Sequence, residues 1–132
     1  MSWAFEWQQM DDGKQPYFIH GDGDVLAAAG LCAARQEDDV WKISFTIITR
    51  AARDASGEIH DRMPVFLTPD VWGQWLSPET ISDKEEALSM LDRSSVAGAK
   101  TVTAYPVSRG VNDVRTLDSE DPELIRPAAR TE

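Results

Sequence analysis

The chain has 132 residues, 42% hydrophobic and 27% charged, with one cysteine and a formal net charge of -10. One thiol excludes an internal disulfide framework, and this length fits one domain around one core. The surplus of acids excludes a broad basic face, the feature that supplies most non-specific affinity for nucleic acid.

No run of about eighteen apolar residues and no charged-then-apolar leader occurs, so a reducing cytoplasm and no membrane association are expected. The acidity is even: residues 1–67 hold eleven acids and six bases, residues 68–132 hold twelve and seven. No basic domain is hidden in an acidic whole, although a local cleft lined by Arg50, Arg53, Arg62 and Arg109 would still attract phosphate.

In chain order, Trp3 to Gln9 alternates with period two, placing Trp3, Phe5 and Trp7 on one strand face and Glu6 on the other. Asp11-Asp12-Gly13-Lys14 reads as a turn, Pro16 to His20 as a second strand, Gly21-Asp22-Gly23-Asp24 as another turn and Val25 to Leu31 as a third strand. After a polar stretch, Arg35 to Asp39, the β-branched and aromatic residues of Val40 to Thr49 predict a long strand near the middle of the sheet. Arg50 to Glu58 reads as a polar connection, and Met63 to Leu67 as a short strand. Thr68-Pro69-Asp70 opens a helix with Thr68 as cap, and Ser82-Asp83-Lys84-Glu85 opens a second that runs to about Arg93. Val102 to Val107 predicts a last strand. Thr116 to Glu132, acidic and with two prolines, reads as a loose tail.

Two stretches carry candidate chemistry. Glu6 stands among Trp3, Phe5 and Trp7, where desolvation favours a proton donor; the plainer reading is a solvent-facing residue on a half-buried strand. His60 lies in Ile59-His60-Asp61-Arg62-Met63-Pro64, where an imidazole beside a planar cation suits acid/base work on an anionic substrate. Its plainer reading is a surface histidine, and that of Arg62 is an ion pair with Asp61 or Glu58. Trp72 and Trp75, at helical spacing beside Val71 and Leu76, read as core rather than as platforms for base stacking. The acidic turns lack the spacing of a calcium loop, and one cysteine with two distant histidines makes no zinc set. No metal or cofactor is expected.

These two stretches, together with Gln15-Pro16-Tyr17-Phe18-Ile19, Ala28-Ala29-Gly30-Leu31, Phe45-Thr46-Ile47-Ile48-Thr49 and Tyr105-Pro106-Val107-Ser108-Arg109, resemble the SOS response-associated peptidase (SRAP) family in order and spacing. The resemblance implies an α+β fold, a mostly antiparallel, barrel-like sheet with two short helices in the second half. It corresponds to the C-terminal part of such a protein, with residues 1–115 as a partial domain and 116–132 as an acidic tail.

For function, the resemblance implies recognition of abasic sites in single-stranded DNA. The family freezes such a site as a crosslink to an N-terminal cysteine exposed by removal of the initiator methionine. Carried over by position, Glu6 and His60 are the catalytic groups, Arg62 lies near DNA phosphate, Thr49 near the pocket, and Arg109 is a further DNA contact. The family's opening Met-Cys-Gly-Arg is replaced here by Met1-Ser2-Trp3, and Cys32 lies in Gly30-Leu31-Cys32-Ala33-Ala34. A chain without the nucleophile is expected not to crosslink. The alternatives are a non-catalytic module for single-stranded DNA or a protein, and an unrelated small acid/base enzyme.

Overall fold

A computed structural model describes residues 3–52 and 59–129. Its elements are β1 (Trp3–Met10), β2 (Gly13–His20), β3 (Ala27–Ala28), β4 (Gly30–Glu37), β5 (Val40–Ile47), β6 (Thr49–Ala51), β7 (Arg62–Pro64), β8 (Phe66–Leu67), α1 (Pro69–Trp75), α2 (Lys84–Ala99) and β9 (Thr103–Pro106). This is the expected α+β class with antiparallel pairing. Among the described residues there is one three-stranded sheet, β1-β2-β9, and three two-stranded ones, β3-β8, β4-β5 and β6-β7, so the barrel-like sheet expected from the resemblance is not closed.

The three-stranded sheet follows the aromatic alternation. Trp3, Phe5 and Trp7 share a face, and Phe5 stands opposite Phe18 in the β1–β2 register. Ring centroids of Phe5 and Phe18 are 5.8 Å apart at an interplanar angle of 61°, an edge-on geometry that suits the ring quadrupoles. Phe18, Val107 and Val111 form the buried centre of this end, with Tyr105, Leu117 and Leu124 against them. The acidic C-terminal stretch carries more structure than its composition suggests. Tyr105 Oη donates to the Ile125 carbonyl at 2.7 Å, and Val107 bridges to Pro127.

The other three sheets are fragments of longer strands interrupted at one knot. Ala29 separates β3 from β4, Ile48 separates β5 from β6, and Val65 separates β7 from β8. The three residues bond to one another: Ala29 N donates to Val65 O at 2.8 Å, Ile48 N to Ala29 O and Val65 N to Ile48 O at 2.9 Å each. Ala29 is fully buried there, with Val65, Leu67, Met90 and Leu91 around it. This overturns two sequence expectations. The third strand does not run from Val25 to Leu31 but breaks at Ala29, and the long strand ends at Ile47. That strand is half of a two-stranded hairpin with β4 rather than the middle of a sheet.

Helix α1 starts at Pro69 as expected, but the Thr68 hydroxyl does not cap it. It meets Ser94 Oγ at 3.1 Å while Thr68 N donates to the same oxygen at 2.8 Å, tying the helix start to α2. The cap of α2 is Asp83 rather than Ser82, its Oδ1 accepting from Glu86 N at 3.0 Å. The helix continues six residues past Arg93 because Ser94, Ser95, Gly98 and Ala99 bury a face of small side chains. Phe66 of β8 and Gly98 define the closest approach: a Cβ at Gly98 would lie 3.0 Å from Phe66 Cβ.

Candidate functional site

The stretch from Ile59 to Leu67 and the strand starting at Thr49 run antiparallel, Thr49 opposite Pro64, Arg50 opposite Met63 and Ala51 opposite Arg62. That pairing brings two of the expected residues together. Arg62 Nη2 donates to both the carbonyl and the Oγ1 of Thr49, each at 2.8 Å, so the guanidinium is held across the two strands. No ion pair joins Arg62 to Asp61; Glu58 lies outside the described residues.

His60 stands at the entrance to β7. Its Nδ1 accepts from the Arg62 amide at 3.0 Å and lies 3.2 Å from both the Arg62 carbonyl and Asp61 Oδ1. While Nδ1 accepts, the ring proton belongs on Nε2; a proton on Nδ1 would instead find Asp61 as its acceptor. The ring is about half exposed, with side-chain accessibility 47%. The loop thus holds the imidazole in place while leaving about half of it open to solvent.

Arg50 adds a second cation from the same strand pair. Its side chain is largely buried, and it reaches α2, where Nη1 donates to Ser95 Oγ and lies 3.3 Å from Asp92 Oδ1. Thr49, Arg50, Arg62, Asp92 and Ser95 line one groove of about 370 Å³, floored by Ile48, Val65 and Leu91. Asp92 and Ser95 were not singled out from sequence. Their signal was the run of small and polar residues on one face of α2, which reads as a helix packed close to a strand before it reads as a site.

The remaining expected residues lie elsewhere. Glu6 sits in mid-β1, half-buried, and its Oε1 accepts from Trp7 N at 3.0 Å. No hydrogen bond or ion pair joins Glu6 to His60: Glu6 lies in the β1-β2-β9 sheet, and His60 precedes β7 of the β6-β7 pair. Arg109 is paired at the β1–β2 turn, Nη2 to Asp12 Oδ1 at 2.8 Å and Nη1 to Oδ2 at 3.0 Å. These bonds from Arg109 hold the Asp12 carboxyl below its ordinary range, and the same contact raises the guanidinium. Of the described arginines named above, Arg50 and Arg62 share the groove and Arg109 does not line it. Arg53 lies outside the described residues. Trp72 and Trp75 pack against the core around Ala29, and their indole N–H groups donate to the Leu67 and Gly30 carbonyls.

A larger hollow, about 490 Å³, lies between the start of β4 and the loop before α2. Glu79, Asp83 and Glu86 line it without any Lys or Arg, so it repels phosphate. Among the described residues no group of His, Cys, Asp and Glu is placed to hold a metal ion. No helix among them is long and apolar enough to cross a membrane.

The profile of the family described as SOS response associated peptidase (SRAP) matches residues 2–114. The chain is 36% identical over 124 residues to the Escherichia coli abasic site processing protein YedK, covering 93% of this chain and 53% of that protein. It is 38% identical over 124 residues to the Bacillus subtilis abasic site processing protein YoqW, with 92% and 52% covered. A crystal structure of a protein from Bacteroides thetaiotaomicron superposes with a TM-score of 0.74 at 24% identity, over 97% of this chain and 54% of the other. The chain therefore spans about half the length of these relatives.

Proposed function

Because the chain belongs to the SRAP family, with the profile matching 2–114, we propose that it takes part in abasic-site processing and that its groove beside Thr49 and Arg62 receives DNA. The observation that carries this reading is the Arg62 guanidinium fixed by two bonds to Thr49, with Arg50 beside it and His60 held on the Arg62 backbone. A planar, pre-positioned guanidinium suits a phosphate oxygen, and with Arg50 paired to Asp92 the groove keeps one net positive charge on Arg62 against an acidic surface. An abasic site lacks its base, so the sugar is reached without unstacking cost, and a single strand is the form that lays sugar and phosphate along a narrow groove together.

We assign His60 to proton transfer at that sugar, with Asp61 as the acceptor that steadies its protonated form. Glu6, on β1 and outside the groove, is carried over from the family resemblance as a second carboxyl. The two act as separate groups on the substrate, since His60 takes its hydrogen bonds from its own loop. A polypeptide of these 132 residues carries its one thiol at Cys32, inside β4. The reading concerns binding at the groove, of which Cys32 is no part.

The test is a fluorescence anisotropy titration against labelled single strands with and without one abasic deoxyribose. Tighter binding to the abasic strand is expected, and Arg62→Ala should weaken it roughly tenfold, as loss of one charge-assisted contact implies. The slope of log affinity against log salt should fall by about 0.7. Equal affinity for both strands, or no effect of Arg62→Ala, defeats the proposal.

A further inference from the structure

Arg50 and Arg62 reach the groove from opposite faces of the β6–β7 pair. Opposed residues on antiparallel strands point the same way and alternate residues share a face. Thr49, Ala51, Arg62 and Pro64 therefore stand on one face, and Arg50 with the buried Met63 on the other. Arg62 turns to Thr49. Arg50 turns to α2, where its Nη1 donates to Ser95 Oγ and, at 3.4 Å, to the Asp92 carbonyl.

The partners of that second contact differ in exposure. The Arg50 side chain is 13% accessible and that of Asp92 64%, with Nη1 and Oδ1 3.3 Å apart. A cation so far out of water is costly unless an anion stands beside it. Asp92 is that anion, and the larger part of its side chain is left to solvent where it lines the groove. Ser95 adds a hydroxyl but no charge, and it donates in turn to the Asp92 carbonyl at 2.9 Å. Two cations less one anion leave the groove lining with one positive charge.

We infer that Asp92 masks Arg50 and thereby fixes which phosphate of a bound single strand this groove holds, the one at Arg62, a role that rests on the reading of the groove as a DNA site. Asp92 acts through Arg50 and is a positioning group, not a catalytic one. A backbone phosphate near Arg50 meets the exposed carboxylate and is repelled; one near Arg62 meets a guanidinium free of any carboxylate and already held by Thr49. The groove thus engages one phosphate rather than two, and that contact sets the register of the strand. The low charge also keeps affinity for an arbitrary strand small.

The test is a charge cycle on the full chain, with anisotropy titrations of a labelled single strand holding one abasic deoxyribose at several salt concentrations. Asp92→Asn should bind about fivefold tighter, and its slope of log affinity against log salt should steepen by about 0.7, the increment of one more phosphate. Loss of a merely structural contact would weaken binding instead. Arg50→Gln should weaken binding about fivefold, and adding Asp92→Asn to it should restore the parent affinity, because the lining returns to one positive charge. Asp92→Glu should keep the parent slope. Unchanged or weaker binding by Asp92→Asn, or a double variant as weak as Arg50→Gln, overturns the masking. Calorimetry with inorganic pyrophosphate separates this from the DNA reading: Asp92→Asn should bind it about fivefold tighter than the parent whether or not the chain takes DNA. That gain without DNA binding by the parent defeats the DNA reading and leaves the masking; DNA binding weakened by Arg62→Ala, with both ligands indifferent to Asp92→Asn, defeats the masking and leaves the DNA reading.

Discussion

Replacing Gly98 by Ala tests the contact that sets the wall of the groove. An added methyl would meet Phe66 Cβ at 3.0 Å and the Phe66 carbonyl oxygen at 3.1 Å, several tenths of an ångström inside ordinary contact. Phe66 has little room to give: it is 6% exposed and its backbone is paired with Ala28 across β3 and β8. Overpacking of this kind costs about 1–3 kcal/mol. Against that stands the gain from replacing glycine in a helix, at most about 1 kcal/mol and less at the penultimate residue of α2. The balance is a loss of about 1 kcal/mol, or roughly 3–5 °C in melting temperature for a chain of this size. Urea and thermal unfolding followed by circular dichroism measure both. A variant as stable as the parent, or more stable, would refute the close approach of α2 to β8, and with it the position of Asp92 and Ser95 over the groove.

Two further outcomes follow from single contacts. Asp83→Ala removes the side-chain acceptor at the start of α2 and should cost about 1 kcal/mol in urea unfolding, with Asp83→Asn recovering most of it. Arg109→Ala removes the bonds that depress the Asp12 carboxyl, so its pKa, followed by carbon NMR, should rise toward the ordinary carboxylate value. For a depressed carboxyl the stabilisation is present above the unfolded-state pKa and disappears as pH falls through the folded-state one. The stability difference between parent and Arg109→Ala should therefore hold down to about pH 5 and shrink as pH falls below about 4 through the depressed folded-state value.

Much of the architecture was legible because it rests on local rules. The alternation of Trp3, Phe5 and Trp7 placed the first strand, and Pro69 placed the start of α1. The contact between Thr49 and Arg62 was not foreseen: the family resemblance set one near the pocket and the other near DNA phosphate, but thirteen residues separate them and nothing local joins them. Three features were not legible, each for a reason. The knot of Ala29, Ile48 and Val65 depends on backbone bonds between distant segments, so continuous β-forming runs gave no sign of their interruption. The length of α2 was missed because Ser94, Ser95, Gly98 and Ala99 are weak hydrophobic signals, although small side chains are what allow a helix to lie close to a strand. Val40 to Thr49 read as a central strand because its residues are apolar, and that apolarity is real; what the sequence could not say is that the described chain leaves it uncovered.

Whether the proposed groove meets abasic single-stranded DNA is the most direct question to put to the account. Amide chemical shifts of the labelled protein, followed as an oligonucleotide with one abasic site is added, should move at Thr49, Arg50, His60, Arg62 and Asp92, the residues at and beside the groove. Shifts confined to the Asp12–Arg109 turn, or to the acidic hollow near Glu79 and Glu86, would contradict it.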